Sequence, residues 1–549
     1  MKAKKLLALL LTAAMLLSSL AACGTAADET ETETDTSEAE EDATLSGQTL
    51  TYDDAEDSVF SLSLDYDSTL NPLKTTSTLN QMVDCLVYDR LFEVDENFNV
   101  TSRILSDWYY TKNEGSSGVW VLTVKEGIQM HDGSTLTASD VAYSVSSIFT
   151  TGSSYYQQQL GRVYASSYNG DVYLATEGAD DSLLPARLSI PVIKYGTAGD
   201  DIPVGSGAYT FNDDHTALVK FDGYENSDRL PVDEIELRAY RGMEELITEF
   251  ENGLVDLVTN DPTGIYNMGY GGKNETRTIT TSNLHFIGFN SNSEFFGYET
   301  YRYAMNWIVD RDTIVNDTLD GNAVATMLPI HPNSSLYDAN IASQFSYSPE
   351  KCAEEFQRGG ARDLDDDGYI EFAVSGSKVD MEINFVVCAD NASKVQEARV
   401  IAESMESIGL KVNLRELTWS EYNEALETGY LDEDEEIPVD MYLAEVALTG
   451  DWNILKLISG DVEKDSTLNY GGWNDEEVTS LTETFLGAKD EDREAAETAW
   501  LTALTARTFF IPVCFETREV LSHLGTIYGM SPNQYDIFND ITSWTIDVG

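Results

Sequence analysis

The chain has 549 residues, 42% of them apolar, and a formal net charge of −63 at pH 7. That length exceeds one ordinary core and implies roughly two to four structural units. So acidic a surface repels phosphate backbones and excludes nucleic acid as a partner; spread over a whole protein, such charge serves solubility before it serves any ligand.

At the start of the chain, Lys2, Lys4 and Lys5 precede an apolar run from Leu6 to Leu20. The run is too short to span a bilayer comfortably and suits the h-region of a secretory signal. It ends in Leu20-Ala21-Ala22-Cys23-Gly24, which resembles a bacterial lipobox, where cleavage precedes the cysteine and lipid is attached to it. Residues 1–22 are therefore read as a signal peptide, Cys23 as the lipidated residue and 23–47 as a tether. Between Asp28 and Asp42 the tether carries nine acids and no base, which cannot bury a core and extends the chain by self-repulsion. Cleavage would remove three lysines and no acid, taking the formal charge to −66. No later run is apolar enough for a membrane helix, so the expectation is a protein anchored to the outer face of the cell membrane and not spanning it.

The folded part begins near Gln48 and mixes strands with helices. Trp120, Leu122 and Val124 alternate with Val121, Thr123 and Lys125, the period-two pattern of a strand. Next comes His131-Asp132-Gly133, which could be read as a histidine beside its carboxylate. Asp132-Gly133 is also a common turn pair, and Thr137-Ala138-Ser139-Asp140 has the spacing of a helix cap. The segment thus predicts strand, turn and capped helix, with His131 bonded to a neighbouring loop and no serine or cysteine nucleophile near it. Further on, "DLDDDGYIE" puts Asp363, Asp365 and Asp367 at positions one, three and five of a calcium loop, Gly368 at six and Glu371 at nine. Position twelve is Val374 where a glutamate is expected, so a plain turn competes with a structural calcium site. No other cofactor is expected.

From Ser393 to Ile408, apolar residues at Val395, Ala398, Ile401, Ala402, Met405 and Ile408 make one helical stripe, and Gly409 stops the helix before the strand "LKVNLRE". The run "LDEDEE", Leu431 to Glu436, predicts an exposed loop, and Asp490 to Arg507 a second helix ahead of "FFIPVCF". Beyond Cys23, the cysteines Cys85, Cys352, Cys388 and Cys514 lie far apart and read as small core residues, without a disulfide framework or thiolate metal site. The histidines His131, His215, His285, His331 and His523 show no ligand spacing, and "GxxxxGK[ST]", "HExxH" and "GxSxG" are absent. The fold class is mixed α/β, as α+β lobes.

Several segments in order carry a resemblance: "STLNPL" from Ser68, "VYDRLFEVDENFNV" from Val87, "VWVLTVKEGIQMHDGSTLTASDVAYSV" from Val119 and "IPVGSGAYTF" from Ile202. "GLVDLV", "FIGFNSNSEFF", "RYAMNWIVDRDTIV", "YGGWNDEEVTSL" and "FFIPVCF" follow. Together they resemble the extracellular solute-binding proteins of the peptide/nickel class, family 5, which serve ABC importers. The resemblance implies a periplasmic-binding-protein-like clamshell of two lobes with an extra small subdomain. By analogy, 48–80, 202–282 and 514–549 form lobe I, 81–201 the subdomain and 283–513 the other lobe. It implies a monomeric receptor, not an enzyme, that captures a peptide or related amine-bearing solute and passes it to permease subunits. ATP hydrolysis would belong to a separate subunit.

The resemblance also points to ligand-binding residues. In peptide-binding relatives an aspartate in a context like "TGD" pairs with the peptide's amino group; "VALTGDWNI" places Asp451 there, with Trp452 beside it to cover an apolar ligand group. The proline that commonly follows is missing. Where dipeptide-binding relatives hold the ligand carboxylate with an arginine, this chain reads "NASKVQEAR", offering Lys394 and Arg399. Asn290, in "FIGFN", is a candidate for a contact to ligand or hinge. Two competing readings are a surface hydrolase using paired carboxylates and a sensor or adhesin on the same fold.

Overall fold

The computed structural model describes residues 43–45, 48–50 and 59–547, apart from 113–116, 152–155, 158–159, 179, 266, 375–376, 429–437, 461 and 463–466. The signal segment, Cys23 and the acidic run 431–436 lie outside the described residues. Of the stretch read as a tether, Ala43–Leu45 is described, and it pairs antiparallel with Gln48–Leu50. No helix among the described residues is long and apolar enough to cross a membrane.

Two long antiparallel strands organise the molecule, Asn274–Phe289 and Phe510–His523. They run through the middle of a seven-stranded mixed sheet that also holds Leu257–Asn260, Ala323–Ala325, Met441–Ala447, Glu382–Cys388 and Lys411–Leu417. Their ladder is interrupted between Thr280 and Leu284. On one side of that break, Ile279 and Val520 belong to a core that includes Phe60, Leu122 and Trp544. On the other side, Leu284, Ile287 and Phe515 belong to a core that includes Phe356, Ile401 and Trp500. One pair of strands therefore feeds two hydrophobic cores, and the bulged stretch, where ladder bonds are missing, lies between them.

The first of these cores is faced by two smaller sheets. One has the order Tyr209–Phe211, Ala217–Lys220, Glu234–Ala239, Ser61–Leu64, the last pair parallel. The other is antiparallel, in the order Leu105–Thr111, Val119–Val124, Asp171–Thr176, Val163–Tyr168, and the helix Ala138–Ile148 packs on it. That helix starts as its sequence predicts: Thr137 and Asp140 form a reciprocal capping box. His131 Nε2 lies 3.1 Å from the Gly207 carbonyl oxygen, and burial pushes the imidazole down to about 4. A neutral histidine tied to a backbone carbonyl is architecture. The strand departs from its alternation, since Val121 and Leu122 are both buried, Leu122 within the first core.

Beyond the break, strand Glu382–Cys388, helix Ala392–Ser407 and strand Lys411–Leu417 form a βαβ unit with parallel strands. The predicted stripe of Val395, Ala398, Ile401, Ala402 and Met405 is buried, and Gly409 ends the helix at φ +92°, a conformation that favours glycine. Helix Asp490–Arg507 has the predicted limits. The cysteines Cys85, Cys352, Cys388 and Cys514 are all free, the last three buried.

Candidate functional site

The strand Met441–Ala447 ends in a tight turn, in which the Trp452 amide donates to the Thr449 carbonyl at 2.9 Å. Trp452 adopts φ +56°, in the left-handed region. A Cβ added to Gly450 would lie 3.2 Å from the Ala186 carbonyl oxygen, so a second segment, around Leu184–Arg187, sits directly on the turn. Asp451 thereby meets a cation from the chain itself. Its Oδ1 accepts the Thr449 hydroxyl at 2.5 Å, and its Oδ2 lies 3.2 Å from Arg187 Nη1. The guanidinium also reaches Asp181, Nη2 to Oδ2 at 2.5 Å.

All three side chains are buried, at 0% exposure for Asp451, 8% for Arg187 and 7% for Asp181. One guanidinium is shared between two carboxylates in a dry place, with Lys456 and Arg493 near enough to act on them. Burial accordingly pushes Asp181 up to about 6, Arg187 opposing and Asp451 reinforcing the shift. Nearby Lys456 is lowered by burial and by Arg187, against the pull of Asp451. Arg187 Nε is buried without a hydrogen-bond partner among the described residues. The same segment is tied down further by the Ser182 hydroxyl, which donates to the Leu486 carbonyl at 2.9 Å and receives Arg493 Nη2 at 2.9 Å.

Trp452 is fully buried. Its ring meets Phe98 and Phe515 edge-on, at centroid distances of 4.7 and 5.6 Å, and its indole N–H donates to Ser334 Oγ at 3.2 Å. Asn290 is buried too; its side-chain amide donates to the Val439 carbonyl at 2.8 Å and its own N–H to that of Asp440 at 3.0 Å, joining the end of one central strand to the approach of the next.

Lys394 and Arg399 do not join Asp451 in one group: the described partners of these bases and those of Asp451 share no residue. Arg399 is exposed and bonds Glu416 at 2.6 Å. Lys394, in the first turn of helix Ala392–Ser407, is buried, with Nζ 2.5 Å from Glu445 and 3.5 Å from His285 Nε2. His285 Nδ1 lies 3.0 Å from Glu397 and Nε2 3.6 Å from Glu516. Burial works to lower both bases, but the carboxylates outweigh it and each is held above its ordinary range. Glu516, which burial alone would raise, is brought down to about 2 by His285, Arg518 and Lys394.

Three groups among the described residues have metal-like donor sets, one of them His285, Glu445 and Glu516. His285, Glu397 and Cys514 bring donor atoms within 4.8 Å of one another, but the Lys394 ammonium already stands beside the imidazole as the compensating cation. Asp363, Asp365, Asp367 and Glu371 are equally close. There, Asp363 accepts the amides of Asp366 and Gly368 at 2.7 and 2.9 Å, Glu371 accepts that of Leu364 at 2.6 Å, and Lys378 lies 3.3 Å from Asp365. The carboxylates thus already serve a turn, with a lysine supplying positive charge.

Sequence reasoning missed Arg187 and Asp181. The available signal was a lone base within the apolar run "LLPARLSIPVI", since a charge drawn into a core needs a partner. It also missed the surroundings of Lys394, because His285, Glu397, Glu445 and Glu516 come from three strands and a helix.

The sequence matches the model of the bacterial extracellular solute-binding proteins, family 5, over residues 102–445. It is 23% identical over 379 residues to the oligopeptide-binding protein AppA of Bacillus subtilis, covering 64% of this chain and 67% of that protein. The fold is similar to the substrate-binding protein CtaP of Listeria monocytogenes, with a TM-score of 0.67 and 15% identity over 88% of this chain and 98% of the other. It is also similar to NikZ of Campylobacter jejuni, solved with Ni(L-His), with a TM-score of 0.62 and 16% identity over 89% and 99%. These neighbours share a two-lobe clamshell, and the relatives are binding proteins of ABC transporters, not enzymes. A match across residues 102–445 spans most of the chain, including the Asp181–Arg187 segment, His285 and Glu445; the chain belongs to the bacterial extracellular solute-binding proteins of family 5.

Proposed function

We propose that this protein is the lipid-anchored receptor of an ABC importer, fixed to the outer face of the membrane through Cys23, and that it captures a peptide or related amine-bearing solute between two lobes for delivery to the permease. The observation that carries the reading is the family match, supported by likeness to an oligopeptide-binding protein over 379 residues. In this reading lobe I comprises 48–80, 202–282 and 514–549, the subdomain 81–201 and the other lobe 283–513. The ladder break between Thr280 and Leu284 supports a hinge there, because two cores meet at a stretch with few cross-strand bonds.

Asp451 and Trp452 then lie on the wall that a ligand meets when the lobes part, and their burial corresponds to the closed state. NikZ, on the same fold, holds a nickel–histidine complex, and the likeness to an oligopeptide-binding protein favours a peptide here. His131 is tied to a carbonyl and His285 to Glu397, while His331 accepts an amide N–H through Nδ1 at 3.0 Å and its buried Nε2 has no hydrogen-bond partner among the described residues. The test is native mass spectrometry of residues 24–549, purified gently. Retained masses that resolve into peptides support the reading; a retained metal chelate or non-peptide solute moves the function to another cargo. For the anchor, mass spectrometry of the protein extracted from the membrane fraction should find a chain that begins at Cys23 and carries lipid on it, and an unmodified Cys23 would refute lipidation there.

A further inference from the structure

Resting on the peptide-receptor reading, we infer that Arg187 sets the ligand preference of this site by occupying Asp451 itself, so that a free amine adds little to affinity and amino-blocked peptides bind about as well as free ones. Asp451 has no idle oxygen: Oδ1 takes the Thr449 hydroxyl and Oδ2 the guanidinium. In the closed arrangement its exposure is 0%, which leaves no room for an ammonium beside the guanidinium, so closure over a free amine has to exchange one cation for the other.

Displacement gains little. Before it, a guanidinium compensates Asp451; after it, an ammonium does, and only the difference between two charge-assisted contacts remains. Arg187 would not be stranded, because Asp181 on its own segment holds it through a separate nitrogen. The exchange is therefore permitted but weakly driven. In a site whose aspartate waits without a resident cation, the amine instead relieves a buried unpaired charge and contributes the whole contact. The close packing of Gly450 on Ala186 shows that the guanidinium is delivered by a built contact between two segments.

The experiment compares the wild type with Arg187→Met, using a mixed pool of lysine-free peptides of two to nine residues, half of it N-acetylated, with retained species read by native mass spectrometry. The wild type should retain free and acetylated forms within about threefold of each other, while Arg187→Met should favour free amines by about thirtyfold. A wild type that already prefers free amines by about thirtyfold, or a folded variant with an unchanged ratio, overturns the inference. A second readout needs no peptide. Arg187→Ala should melt at lower temperature than the wild type, and millimolar methylguanidinium should restore part of the difference in the variant alone, by refilling the gap between Asp181 and Asp451. A folded Arg187→Ala protein that ignores methylguanidinium overturns the placement of Arg187 as resident cation. If neither protein retains any peptide yet methylguanidinium rescues, the peptide reading fails while Arg187 keeps its place.

Discussion

The molecule buries charge in two places and arranges it differently. At the turn after strand Met441–Ala447, one guanidinium bridges carboxylates from two segments, Asp181 and Asp451, whose neighbours lie in different cores: Leu184 and Leu188 in one, Leu448 and Trp452 in the other. Around Lys394, one ammonium and one imidazole meet Glu397 and Glu445, carried by elements beyond the ladder break, and Glu516, which lies in the break itself between Phe515 and Thr517. The first group joins segments whose neighbours lie in the two cores, whereas the second takes all but Glu516 from elements on one side of the break.

The largest effect that sharpens this contrast is expected within the Lys394 group. Lys394→Met leaves carboxylates facing each other in a buried place and should destabilise the protein by about 3–5 kcal/mol in urea unfolding. A loss below about 1 kcal/mol would mean that water reaches the cluster. Arg187→Met should cost less, about 1–3 kcal/mol, because opening can hydrate Asp181 and Asp451. It should also shift ligand-free protein towards a larger radius of gyration in small-angle scattering, and an unchanged radius would break the assignment of the triad to the closing surface.

Proton linkage separates the two groups by sign. Asp181, raised to about 6 from an ordinary carboxylate value, binds protons more tightly when folded, so its contribution is present at low pH and is lost as pH rises towards and through about 6. Glu516, brought down to about 2, contributes above its unfolded value and loses that contribution as pH falls towards 2. Asp181→Asn should therefore flatten the decline in stability between about pH 4 and 6, measured by urea unfolding across that range. A steeper decline in the variant would contradict the sign. The smallest effect belongs to Arg399→Ala: its exposed pair with Glu416 should be worth no more than about 0.5 kcal/mol, with no change in peptide retention.

Legibility in the sequence follows the range of the contacts. The Thr137–Asp140 cap, the stripe from Val395 to Met405 and the limits of helix Asp490–Arg507 are local patterns, and a local pattern carries its own physics. The two-lobe fold was read by resemblance, since periodicity reaches only mixed lobes of strands and helices. The partnership of Arg187 with Asp451 spans 264 positions, and no spacing rule connects them. Trp452 illustrates the same limit: its place beside Asp451 was visible, but not its burial against Phe98 and Phe515, which come from distant parts of the chain.

The most direct test of the receptor account is to strip the mature protein of retained ligand, titrate the recovered peptide back by calorimetry, and weigh the peptide again after release. The account predicts one peptide bound per chain, contraction in scattering on binding, and recovery of the peptide at its original mass. Shortened or modified products would place the protein among hydrolases instead, and peptide that neither binds nor closes the lobes would contradict the account.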